Sequence, residues 1–178
     1  MKHSSMASSV SAAGNWLKAS LGLGTLSLGL TMVALQSPAA IAQNLGANPL
    51  YGTIDLTVGF TPDPYGVEVM PGGSTNASNL DLGSDCVGFI NASNPDVRVN
   101  YQAGNFSFLS FNVSGGGDTT LLINGPDGNW YCNDDFAGSV SPTVMFEPAL
   151  SGQYDIWVGT FGEGSGGGAQ LQITEIQN

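Results

Sequence analysis

The side chains whose types and spacing could do chemistry sit at the two ends of residues 118–135: Asp118 at one end, and Asn133, Asp134 and Asp135 at the other. Between them, Gly125-Pro126-Asp127-Gly128 reads as a tight turn. Pro126 presets φ at the first central position, and Gly128 can take the left-handed conformation. A hairpin folded there places Asp118 or Thr119 across from Asp134 or Asp135. Like charges facing each other destabilise a sheet unless something compensates them. Three carboxylates with Asn133 at one strand end therefore suit a hard cation, and Ca²⁺ is the expected cofactor. A competing reading is local, because Asp and Asn at strand ends also bond nearby backbone and shape turns. A carboxylate cluster without metal is the third. Asp127 lies at the far end of the hairpin and reads as a turn residue.

A second candidate surface lies in residues 153–161. Period-two alternation puts Tyr154, Ile156 and Val158 on one face, and Trp157 with Asp155 on the other. An exposed Trp beside an Asp would suit a sugar ring or an aliphatic side chain of a partner. Burial is the alternative, since large aromatics usually pack in sandwich cores. Asp63, Glu68 and Asp55 could form another acidic edge, as could Asp81 and Asp85, or all could simply be solvated. Catalysis is limited by what is missing. Beyond residue 42 there is no His and no Lys, which removes Ser-His-Asp and Cys-His nucleophiles, Schiff bases and His-built zinc sites. A carboxylate pair could in principle hydrolyse glycosides, but a domain this small signals no deep cleft. The chain reads as non-catalytic.

The elements that must position these groups follow a leader. Lys2 and Lys18 precede an apolar run over residues 21–35, and Pro38-Ala39-Ala40-Ile41-Ala42 ends in a small-x-small pattern, so residues 1–42 read as a cleaved signal peptide. The apolar run is shorter than a bilayer span, which argues against an uncleaved anchor. Residues 43–178 then form a single domain, exported to the periplasm, cell surface or medium. Arg98 is its one Lys or Arg against all 14 acidic residues of the chain. That balance repels nucleic acid and anionic membranes, and leaves metal cations, basic proteins or neutral glycans as partners. The even pair Cys86 and Cys132 predicts a disulfide in an oxidising compartment, with two buried thiols as the alternative.

Alternation with period two recurs along the domain, and no helical period competes. Strands are expected over residues 53–60, 67–70, 86–91, 96–101, 106–113, 119–124, 129–133, 143–147, 153–161 and 169–176. Turn-rich punctuation between so many short strands predicts an all-β antiparallel sandwich or jelly roll of about eight to ten strands. Bulk on both faces of residues 106–113 suggests a strand covered on both sides. Residues 71–85 read as a mobile polar loop and residues 162–168 as a second flexible tip.

From Asp118 onward the chain resembles the bacterial pre-peptidase C-terminal domain. The resemblance is carried by Gly117-Asp118-Thr119-Thr120-Leu121, Gly125-Pro126-Asp127-Gly128, Asn133-Asp134-Asp135 and Ser151-Gly152-Gln153-Tyr154-Asp155-Ile156-Trp157-Val158-Gly159. It implies a β-sandwich acting as an accessory or substrate-binding module, with calcium found among relatives such as collagen-binding domains. The expected function is an exported binding module for a macromolecule or cell-surface polymer, protein or polysaccharide. A carbohydrate-binding module using Trp157 and Asp155, or a structural envelope protein, is the alternative.

Overall fold

Along Val97–Gln102 every second residue up to Tyr101 is buried while Arg98 and Asn100 are half-exposed, as expected of a strand with one face in a core. The same alternation recurs in strand after strand. The computed structural model describes residues 44–105 and 108–177. The expected leader over residues 1–42, and Phe106 and Ser107 of the predicted 106–113 strand, lie outside the described residues. Among the described residues, no helix is long and apolar enough to cross a membrane.

The strands run β1 (Thr53–Thr57), β2 (Tyr65–Val69), β3 (Gly72–Gly73), β4 (Thr75–Asn76), β5 (Phe89–Ile90), β6 (Val97–Gln102) and β7 (Leu109–Gly115). They continue as β8 (Thr119–Asn124), β9 (Trp130–Asn133), β10 (Thr143–Phe146), β11 (Gly152–Thr160), β12 (Gly164–Ser165) and β13 (Ala169–Thr174). The larger sheet is built around β11. One edge of β11 takes β6 and then β5, and the other takes β8, which pairs with β9. The smaller sheet runs β10-β7-β13-β2 and is antiparallel throughout. The fold is thus an all-β sandwich, with one departure from the antiparallel expectation. β1 joins β6 in parallel, pairing Ile54 with Val99 and Leu56 with Tyr101.

The core between the sheets takes Val97, Val99, Ile123, Tyr154, Ile156 and Val158 from the larger sheet, against Leu109, Phe111, Phe146, Leu171 and Ile173 from the smaller. Phe111, Phe146 and Tyr154 stack edge-on or tilted at its centre. The Tyr154 hydroxyl locks the turn before β11, donating to the Leu150 carbonyl at 2.6 Å and accepting from the Leu150 N–H at 3.1 Å.

The expected mobile loop is where the structure differs most. Residues 71–85 begin with β3, which pairs with β12, so the two Gly-rich segments bond to each other instead of waving free. Glycine makes that approach possible: a Cβ on Gly72 would sit 2.5 Å from the Gly164 carbonyl oxygen. The chain then crosses the outer face of the larger sheet through β4 and a 3₁₀ turn at Ala77–Asn79. Ala77, Cys86 and Ile90 bury Leu122 and Trp157 in a second small core. The Cys86–Cys132 disulfide, with Cα atoms 5.0 Å apart, pins this cover to β9.

Candidate binding groove

The β8–β9 hairpin forms in the expected register, with Asn124 opposite Trp130 and Leu121 opposite Asn133. Asp127 holds its turn. Its Oδ1 accepts from the Asn129 N–H at 3.1 Å and its Oδ2 from the Tyr131 hydroxyl at 2.7 Å. These bonds, Tyr131's first, hold the Asp127 carboxyl below the usual carboxylate range.

At the open end the ladder stops. The Thr119 N–H donates to the Val140 carbonyl at 3.4 Å, and the Asp118 carbonyl accepts from the Phe161 N–H at 3.0 Å. Asn133 is already committed: its Oδ1 accepts from the Thr143 N–H at 2.9 Å, and its Nδ2 donates to the Asp135 carbonyl at 2.9 Å. Asp134 Oδ1 accepts from the Asp135 N–H at 3.0 Å. Among the described residues, no three His, Cys, Asp or Glu side chains come together as a metal site. The side-chain bonds of Asn133 and Asp134 are those of local capping, the competing reading of this strand end. Adding Ca²⁺ to chelated protein is expected to leave the melting temperature unchanged. A saturable rise, lost in Asp134→Ala or Asp135→Ala, would restore the cation.

Trp157 and Asp155 share a face as alternation requires, but that face is covered. Trp157 is fully buried, its ring 5.1 Å from that of Trp130. Asp155 is buried too, accepting from Arg98 Nε at 2.7 Å and from Gln153 Nε2 at 2.7 Å. Neither can meet a ligand. The expectation of an exposed aromatic platform fails because the segment leading to Cys86 folds over it.

Of the other acidic candidates, Asp55, Glu68 and Asp63 hold structural hydrogen bonds. Asp55 accepts from Asn100 and Glu68 from Gln170. Asp63 pairs with neither, and its Oδ2 accepts instead from the Glu175 N–H at 3.2 Å. Glu175 in turn accepts from the Gly59 N–H and the Tyr101 hydroxyl, tying the end of β13 to the end of β1. Burial, then the bond to Glu175, pushes the Tyr101 hydroxyl above its ordinary range.

What the fold does present is a groove across the outward face of the smaller sheet, with a volume of about 680 Å³. Its floor is Ser110 and Asn112 of β7, Gln172 and Thr174 of β13, and Thr143 of β10. By register, Thr143 lies beside Asn112, and Asn112 beside Gln172. The loop over residues 136–141 closes one end, near Asn112, while Pro64, Phe108, Glu147 and Ile176 border the other. No Lys or Arg lines it, and Glu147 is its single carboxylate, accepting from Gln177 Nε2 at 3.3 Å. Asn112, Thr143 and Gln172 are half-buried and reach the groove, whereas Ser110 and Thr174 are buried beneath it.

Phe136 is set above this floor by a two-residue turn. The Phe136 N–H donates to Ser139 and the Ser139 N–H to Phe136, while Ala137 has φ 53° and Gly138 φ 79°. Both central residues are left-handed, which is the type I′ geometry. For Ala137 that conformation costs about 1 kcal/mol, a strain of the kind that gathers at ligand-contacting loops. Phe136, Met145 and Ile176 are 40, 49 and 51% exposed around the floor, a row of apolar groups facing solvent.

None of these groove residues stood out in the hairpin-centred reading of the chain. The usable signal was the complement of the core pattern: Ser110, Asn112 and Ser114 between Leu109, Phe111 and Val113, and Gln170, Gln172 and Thr174 between Leu171 and Ile173. The chain matches no protein-family model, no curated protein and no solved structure.

Proposed function

We propose that the protein is an exported, non-catalytic binding module that takes an extended polymer along the groove of the smaller sheet. One observation carries this: the groove combines a hydrogen-bonding floor with exposed apolar side chains, on a rigid sheet face, at a volume typical of ligand sites. A disulfide suits an oxidising compartment. The resemblance to pre-peptidase C-terminal domains points the same way, toward an accessory module. Asn133 and Asp134 at the hairpin end hold local bonds, and recognition is assigned to the opposite sheet.

The test blocks each face in turn. Asn112→Trp fills the groove, whereas Gln102→Trp adds the same bulk at an exposed position of the larger sheet. Retention of the mature chain on envelope material from the cells that make it is expected to survive the second change and fail with the first. Equal retention of both variants would move the binding surface away from the groove.

A further inference from the structure

The groove's chemistry restricts what could lie in it. Its floor offers the amides of Asn112 and Gln172 and the hydroxyl of Thr143, each able to donate and accept, with Ser110 and Thr174 recessed at 5 and 4% exposure. An anionic chain would find no cation there and would meet the field of a protein with formal net charge −11. A basic chain would find one carboxylate, Glu147, at the far end and already bonded to Gln177. A purely apolar ligand would leave the floor's polar groups without partners, at a cost for each one desolvated. The remaining match is a ligand with many neutral hydroxyls and an apolar ring face to lie on Phe136.

We infer that the groove binds a neutral polysaccharide, its hydroxyls on the Thr143–Asn112–Gln172 floor and a sugar ring against Phe136. The inference rests on the proposed role of the groove and adds the class of ligand. Gln172 and Thr174 already bond along their own strand, Gln172 Nε2 donating to Gln170 at 3.0 Å and Thr174 Oγ1 accepting from the Ile176 N–H at 3.0 Å. Those bonds fix the two side chains and leave the side-chain carbonyl of the half-buried Gln172 for a ligand, while Thr174, 4% exposed, backs the floor.

Isothermal titration and amide chemical-shift mapping with neutral gluco-, xylo- and chito-oligosaccharides, uronic-acid oligosaccharides and a lysine-rich peptide test the class. A neutral oligosaccharide is expected to bind saturably, with shifts confined to β7, β13 and the 136–141 loop. Phe136→Ala should weaken it about tenfold and Asn112→Ala roughly fivefold, while Phe136→Trp should retain it and show that the ring face is what matters. Binding by uronic-acid oligosaccharides or the peptide in the same groove would overturn the neutral-glycan class and leave the groove's role intact. If envelope retention proves sensitive to Asn112→Trp but no neutral oligosaccharide shifts groove amides, the class again fails on its own. If retention ignores Asn112→Trp, both readings fall.

Discussion

Replacing Cys86 and Cys132 together by alanine, or reducing their bond, should lower the free energy of unfolding by about 4 kcal/mol. The bond spans 46 residues, and closing a loop of that length removes roughly this much from the entropy of the unfolded chain. Against a typical domain stability of about 5–15 kcal/mol, the loss is large. The loss should also be uneven. The cover leading to Cys86 is otherwise held by two-residue pairing of β4 with β5, one residue pair between β5 and β11, and the Ala77 N–H bond to Gly88. Without the sulfur link, amide exchange over residues 74–91 should rise well before that of β7 and β13. Trp157 fluorescence should shift to the red as its cover opens. Uniform acceleration across both sheets, or a loss of less than about 1 kcal/mol in urea unfolding, would show that packing alone holds the cover.

Asp96 should make the protein less stable as pH rises. It sits where β6 and β5 diverge along the same edge of β11, and it carries the ladder across the gap. Its N–H donates to the Ile156 carbonyl at 2.8 Å, and its Oδ2 accepts from the Val158 N–H at 2.7 Å. Burial dominates the bond from Val158 and pushes the carboxyl up from 3.8 to about 7. The folded value lies above the unfolded one, so the contribution to stability is complete below about pH 4 and is lost as pH climbs through 7. At roughly 1.4 kcal/mol per unit, the full loss is about 4 kcal/mol. The window is clean, because residues 43–178 contain no His. Melting temperatures should fall from pH 5 to about 7 in the native chain and then level off, and should stay flat in Asp96→Asn, whose amide oxygen can still accept from Val158. The variant should be the more stable protein at pH 8. A native curve that stays level between pH 5.5 and 8 would refute the burial argument.

Much of the fold was readable because one-sided burial writes a period of two into sequence. Val97, Val99 and Tyr101, or Leu121 and Ile123 flanking the turn at Pro126, leave little freedom of register. The even cysteine pair was equally legible. The candidate site was not, for two physical reasons. A ladder's register does not say where the ladder ends. Pairing ends at Asn133, so Asp134 and Asp135 lie beyond the ladder and its register alone does not bring them to Asp118. Alternation tells which face Trp157 takes but not what covers that face, and here the cover is a Gly-, Ser- and Asn-rich stretch that looks like a loop. Its few apolar residues, Ala77, Leu80, Leu82 and Ile90, are too widely spaced to give a periodic signal. The same limit hid the β3–β12 pairing, since glycines carry no pattern at all.

Arg98 gives the molecule a front and a back. Its guanidinium, paired with Asp155, also donates from Nη2 to the carbonyls of Leu45 and Ala47. The start of the described chain is thereby moored to the outside of the larger sheet, whereas the groove opens from the outside of the smaller one. A tether grafted ahead of residue 44 would therefore hold the domain by its rear, leaving the groove turned toward whatever approaches from solution.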